Sequence, residues 1–229
     1  MFETSVSRSA DDIKLSTDTT DKPVAERLIE IAGEIFASKG NAATIREICA
    51  AAGCSIAAVN YYFGDKQQLY ARCVEAACER KQRLFPFPRF EQAGAADEQL
   101  REFLRTITRR MAASTNLPWQ NTLMLRELIS PSEHIAEKMK QYIAPDFERL
   151  QELVARVIGA ETDSPELRRS LVTQIFARCM FFKTGASVRA MLGLDTPGNE
   201  DPQLYADEIC DSILAQIRAV PRCHGESGK

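Results

Sequence analysis

Residues 44–66 gather the side chains best suited to hydrogen-bond chemistry at a polyanion. They are the hydroxyls of Thr44 and Ser55, the Arg46 guanidinium, the Asn60 carboxamide, the phenols of Tyr61 and Tyr62 and the Lys66 ammonium. Ammonium, guanidinium and hydroxyl donors suit phosphate oxygens, which position a protein on a duplex, whereas base edges carry the sequence information. Asn60 can bond bidentately to an adenine edge or reach a phosphate. Acid/base chemistry finds less material. His134 and His224 are the only histidines, and neither stands beside a cysteine pair, which argues against a structural zinc site. The Glu-x-x-His repeats that build a metal centre inside a helical bundle are missing, so the chain is read as no enzyme and as needing no cofactor.

Two short helices and a tight turn must hold these donors. Thr44 and Glu47 have the spacing of a capping box at a helix start, and Ile45, Ile48, Cys49 and Ala52 then form one apolar stripe. Gly53 ends that helix in the left-handed conformation that a Cβ would penalise. Ser55 is an N-cap for a second helix, Ile56 to Tyr62, with Val59 and Phe63 on its buried side and Ile56, Ala57, Asn60 and Tyr61 pointing elsewhere. Asp65 and Gln68 repeat the cap spacing and open a further helix with Leu69, Cys73, Ala76 and Ala77 on one face. A helix after Pro23, with Val24, Leu28, Ile31, Ala32, Ile35 and Phe36 inward, stops at Gly40 and braces the pair. Two short helices at a steep angle, the second showing small and polar residues with tyrosines at its end, suit a recognition helix in a major groove.

This stretch resembles the DNA-binding domain of the TetR family of one-component regulators. The likeness rests on Gly40 ending the first helix, Thr44, the run Ala50 to Ser55, the aromatic set Tyr61 to Phe63, and Lys66. Where family members often carry Gly and Tyr, this chain has Ala57 and Asn60, which leaves DNA binding in place and alters the sequence preference. Carried onto the matching positions, the resemblance implies that Thr44 and Lys66 hold phosphates, Tyr61 and Tyr62 contact backbone, and Arg46, Ala57, Ala58 and Asn60 face base edges. Ser55 belongs to the same surface.

With 229 residues, 45% hydrophobic and 27% charged, the chain is long enough for one or two domains with a sizeable core. Its apolar runs are too short to span a bilayer, and the opening MFETSVSRSADDIKL lacks the apolar segment of a signal peptide, so a cytoplasmic location with no membrane partner is expected. The net charge of −3 is uneven. Residues 1–21 carry two Lys+Arg against five Asp+Glu, residues 22–84 nine against seven, and residues 85–229 eighteen against twenty. Only the middle segment is positive, which orients it toward phosphate. Seven cysteines, Cys49, Cys54, Cys73, Cys78, Cys179, Cys210 and Cys223, form neither a CxxC motif nor a disulfide framework, and most read as small core side chains. A thiol redox-sensing regulator acting through Cys73 and Cys78 is one competing reading. An all-α small-molecule-binding enzyme is another.

The chain reads as all-α: a three-helix helix-turn-helix domain over residues 23–84 and a larger helical-bundle domain for ligand binding and dimerisation over 85–220. Residues 1–22 and 221–229 read as flexible tails. The segment RLFPFPRFEQAGAADEQ, with Pro86, Pro88 and Gly94, breaks the helical pattern between the two. Beyond it, Leu100, Phe103, Leu104, Ile107 and Met111 give one amphipathic stretch, and Trp119, Leu123 and Leu128 a second that ends before Pro131. Residues 133–159 are interrupted by Pro145, which should kink or split the helix near Ala144. Ser164 with Pro165 opens a helix expected to reach Leu192, and Asp201 with Pro202 opens the last. These final two helices are apolar over much of their circumference. Either a second copy covers the surplus, as a four-helix bundle about a two-fold axis, or one subunit buries it.

The body resembles the TetR branch with the CecR-type C-terminal domain, in LMLRELISPSEHIAEKMKQYIAPDFERLQELVARVIG at 123–159 and QIFARCMFF at 174–182. The two resemblances together imply a homodimeric regulator, a repressor in the first instance, on a pseudo-palindromic double-stranded operator. They also imply its release by a small-molecule effector in the body. Candidate pocket residues are Phe103, Ile107, Trp119, Arg126, Phe147, Phe176 and Phe181, although residues of these types on such stripes are more often plain core. Arg126 would meet an anionic effector, or else Glu127 or Glu133.

Overall fold

The structure, a computed structural model, describes residues 24–90, 93–112, 117–194 and 201–220; both segments read as tails lie outside the described residues. Ten α-helices and one 3-10 turn make up the described chain: α1 (Val24–Lys39), the turn Gly40–Ala42, α2 (Ile45–Ala52), α3 (Ile56–Phe63), α4 (Lys66–Leu84), α5 (Ala96–Ala112), α6 (Pro118–Ile129), α7 (Glu133–Ile158), α8 (Pro165–Thr184), α9 (Ala186–Leu192) and α10 (Pro202–Ala219). The described residues contain no strand. None of the described helices is long and apolar enough to cross a membrane.

Two apolar cores organise these helices. The first buries Leu28, Ala32 and Phe36 of α1, Ile48 of α2, Val59 of α3 and Leu69, Cys73 and Val74 of α4, and it continues into Trp119 and Leu123 of α6 and Ile135 and Met139 of α7. The second joins Leu100 and Phe103 of α5, Leu150 and Val154 of α7, Leu171 and Ile175 of α8, and Ile209 and Ile213 of α10. Sequence punctuation divides the chain after residue 84, but packing divides it elsewhere: α6 and the first half of α7 belong to the core of the N-terminal helices. α7 runs through both.

Pro145 neither splits nor ends α7, which continues unbroken from Glu133 to Ile158. Proline removes one backbone hydrogen bond, and α7 is gripped by a separate core on each side of it. The expected long helix from residue 165 to 192 is instead two helices, α8 and α9, separated at Gly185. Buried Arg189 accounts for the break. Its guanidinium donates to the Phe181 carbonyl at 3.0 Å, which also accepts from the Gly185 amide at 2.8 Å, and to the Phe182 carbonyl at 3.2 Å, so it braces the last turn of α8.

A buried carboxylate ties the first core together. Glu127 of α6 accepts from the Tyr70 hydroxyl of α4, and from the Ser132 amide and hydroxyl, each at 2.9 Å, at the start of α7. Burial and the neighbouring Glu127 carboxylate both push the Tyr70 phenol upward, so it stays a donor. Glu127→Ala should therefore lower stability by about 3 kcal/mol, because a buried hydroxyl and a backbone N–H lose their acceptor together. Glu127→Gln, which keeps a carbonyl, should lose less than half as much; thermal unfolding of both variants checks this.

Candidate nucleic-acid interface

Local capping sets the orientation of α2 and α3. Thr44 Oγ1 accepts from the Glu47 amide at 3.3 Å and Ser55 Oγ from the Ala58 amide at 3.2 Å, leaving each hydroxyl hydrogen free to donate outward. The Glu47 carboxylate pairs with Lys39, whose ammonium holds it below the usual carboxylate range, and the Thr44 backbone N–H at the helix start lowers it further. Gly53, at φ 62° and ψ 38°, turns the chain between the helices, and its amide bonds back to the Ala50 and Cys49 carbonyls. Asp65 Oδ1 caps α4 by accepting from the Gln68 amide at 2.8 Å.

Val59 is fully buried and Phe63 packs against the same core, so the opposite side of α3 faces outward. That outer side presents Ile56, Ala57, Asn60, Tyr61 and Tyr62 as exposed residues, with Ala58 half-buried beside them. Tyr61 is 82% exposed. Its ring meets that of Tyr62 edge-on, with centroids 5.1 Å apart. Exposed Arg46 on α2 and its N-cap Thr44 complete a polar and aromatic surface around a helix whose first turn is Ile56, Ala57 and Ala58.

Lys66 has a second attachment. Its Nζ donates to the Asn41 carbonyl at 2.6 Å, tying the start of α4 to the turn after α1. A phosphate would have to share this ammonium, which has donors left over.

The body contains an apolar cavity between the two cores. Of the candidate pocket residues, Phe103, Ile107, Phe147 and Phe176 line it together with Lys81 of α4, Arg110 of α5, Met124 of α6 and Asp146 of α7. Three candidates lie elsewhere. Trp119 packs its ring over Gly33, where an added Cβ would come within 2.6 Å, and donates to Glu30 at 3.0 Å. Arg126 donates to the Ala37 carbonyl at 3.2 Å and lies against Gly40, so it braces the end of α1 and meets neither Glu127 nor Glu133. Phe181 is exposed and lies against Gly185. Sequence reasoning missed Lys81, although it extends the four-residue stripe of Leu69, Cys73 and Ala77 on α4 and so had to face inward.

Thiol chemistry has poor ground at the pair named from sequence. Burial pushes the Cys73 thiol strongly upward and Cys78 up to about 12, and Cys73 Sγ donates to the Ile29 carbonyl at 3.6 Å. A protonated buried thiol is a poor nucleophile. Among the described residues no group of three or more His, Cys, Asp or Glu gathers as a metal site would require.

Residues 28–73 match the family model described as bacterial regulatory proteins of the tetR family, and residues 96–219 match the C-terminal domain of the HTH-type transcriptional dual regulator CecR. The chain is thus a helix-turn-helix transcriptional regulator of the tetR family. It belongs, through the model covering most of its body, to the branch with a CecR-type C-terminal domain. The HTH-type transcriptional dual regulator CecR of Shigella flexneri is 28% identical over 166 residues, spanning 66% of this chain and 74% of its own length. Three solved structures share the fold. The hemolysin II transcriptional regulator HlyIIR is 22% identical with a TM-score of 0.55, covering 82% of this chain and 96% of its own. A TetR-like transcriptional regulator from Rhodococcus sp. RHA1 is 16% identical with a TM-score of 0.58, covering 86% and 97%. The TetR family transcriptional regulator PfmR from Thermus thermophilus is 18% identical with a TM-score of 0.56, covering 84% and 96%.

Tyr61 touches almost nothing but its neighbour's ring, so packing gives no reason for a large aromatic there. Tyr61→Ala should change unfolding free energy by less than about 0.5 kcal/mol in chemical denaturation. A larger loss would mean that Tyr61 is a structural residue.

Proposed function

We propose that this regulator acts as a homodimeric repressor on a pseudo-palindromic operator, reading each half-site with the outer face of α3 and releasing it when a small molecule enters the body cavity. The exposed face of α3 carries this reading: tyrosines, a carboxamide and small side chains stand in solvent where packing does not require them. Two such helices would enter successive major grooves about 34–36 Å apart. Thr44, Ser55 and Lys66 supply phosphate donors, Tyr61 and Tyr62 flank the backbone, and Arg46, Ala57, Ala58 and Asn60 face the bases. Exposed Ile56 adds an apolar contact suited to a thymine methyl.

Dimer formation draws on a narrower surface than the sequence pattern suggests. On α10, Tyr205, Ile209, Ile213, Leu214 and Ile217 are buried within the subunit, where Arg105 grips Asp207 with two 2.9 Å hydrogen bonds. The large apolar residues left exposed from α8 to α10 are Phe181 of α8, Val188, Met191 and Leu192 of α9, Leu194, and Leu204 of α10. Exposed apolar side chains concentrated on these last helices suit an association surface. The reading therefore places the two-fold axis at the α8 to α9 junction and the start of α10.

Fluorescence anisotropy with duplexes from the DNA upstream of the chain's own coding region tests the reading head. Lys66→Ala should weaken all duplexes alike and reduce the salt slope by about one. Asn60→Ala should change the ranking of duplexes, at about 1–3 kcal/mol for one base position. Equal losses on every duplex from both variants would refute the roles assigned to them. Met191→Glu should convert the dimer to monomer in sedimentation equilibrium; a dimer that survives it would move the interface elsewhere.

A further inference from the structure

Lys81 lines the body cavity and is only 7% exposed. Among the described residues its ammonium has no hydrogen bond or ion pair. A buried charge without a partner is costly, and proteins ordinarily pair it or neutralise it. The groups acting on it from the packed elements are Cys78 on its own helix, Arg110 of α5 and Lys183 of α8; both of the latter are cations and disfavour its charge. Asp146, the carboxylate in the cavity wall, is already engaged by Arg110 at 2.8 Å and Arg149 at 4.0 Å. The cavity thus holds one positive charge more than its own residues neutralise, inside walls that are otherwise uncharged and largely apolar.

We infer that the cavity takes an organic anion, an amphiphile whose carboxylate pairs with Lys81 while its apolar body lies among Phe103, Phe147 and Phe176. This deepens the reading of the cavity as the effector site and rests on it. A neutral apolar guest would leave Lys81 unpaired, and a cation would meet like charge from Lys81 and Arg110. The cavity is about 80 Å³, so the guest is at most a single ring or short chain and enters as the walls give way. Met111 and Met124, which line the same space, are the side chains most able to yield to it. Lys81 sits on α4, whose first residue is Lys66 beside the recognition helix, so the anion would bind on the helix that carries the reading head.

Burial lowers Lys81 to about 8 in the free protein. An anion favours the charged form and raises it again. Below pH 8 the ammonium is already charged and affinity is level; above it, binding must take up a proton and affinity falls by up to about tenfold per pH unit.

Calorimetric titration of the full chain with 3-phenylpropionate and with 3-phenylpropan-1-ol tests this at pH 7. The carboxylate should bind about ten- to a hundredfold tighter than the alcohol. Lys81→Met should erase that preference while alcohol binding persists, which also shows the variant is folded; Lys81→Gln replaces it if it is not. Ile107→Trp, which fills the cavity, should abolish both. Equal affinities in the unaltered chain, a preference that survives Lys81→Met, or anion affinity that stays level from pH 7 to 10 would overturn the anion assignment. In each of these cases, loss of alcohol binding in Ile107→Trp would leave the cavity as the binding site. Binding undiminished by Ile107→Trp, or no saturable binding of either probe, would overturn the cavity reading as well.

Discussion

The burial of α6 and the first half of α7 in the same core as α1 to α4 is the constraint on which the rest of the structure depends. Helices as short as α2 and α3, eight residues each, form few internal hydrogen bonds and hold their shape only by packing. Ile48, Val59 and Leu69 lock them to α1 and α4, while Trp119, Leu123, Ile135 and Met139 extend that packing into segments that lie far along the chain. Glu127 completes it with hydrogen bonds to both α4 and the start of α7. A reading head joined to its body by a loop alone could move freely. This one shares its interior with the body.

The arrangement gives α4 two roles. At its N-terminus Lys66 fixes the turn after α1 and Asp65 caps the helix beside α3. Near its C-terminus Cys78, Lys81 and Gln82 form one wall of the cavity. A shift of α4 along or about its axis would be felt at both ends, because an α-helix transmits displacement with little compression and packed cores resist gradual deformation. α7 spans the two cores in a similar way, with Tyr142, Ile143 and Asp146 at the cavity in its middle. The cavity lies where the cores meet. Few other places in the molecule would let a small guest act on both.

Much of this was legible in the residues. Thr44, Ser55, Asp65, Ser164 and Asp201 mark helix starts, and Gly53 the turn, because capping and left-handed backbone are local properties that residue type decides. Val59 and Phe63 against Asn60 and Tyr61 followed from helical periodicity. The partition into cores was not legible, because Pro86, Pro88 and Gly94 report where a helix must stop and say nothing of what packs on what. Trp119, Arg126 and Phe181 illustrate the limit: a large or charged side chain on an apolar stripe can face a cavity, a glycine or solvent, and tertiary packing alone chooses. Lys81 could have been found, since its register on α4 placed an ammonium among core residues. Gly185 hid the break between α8 and α9 because a glycine within a helical pattern can be tolerated as well as end one, and the capping residue, Arg189, comes after it.

Native-state hydrogen exchange tests the shared core most directly. If α6 and residues 133–143 belong to the same cooperative unit as α1 to α4, their slowest amides open with one free energy and respond alike to denaturant, distinct from those of α5, α8 and α10. Exchange of α6 in step with α5 and α8, while α1 to α4 open separately, would contradict the account and return the division of the molecule to the proline-rich segment after residue 84.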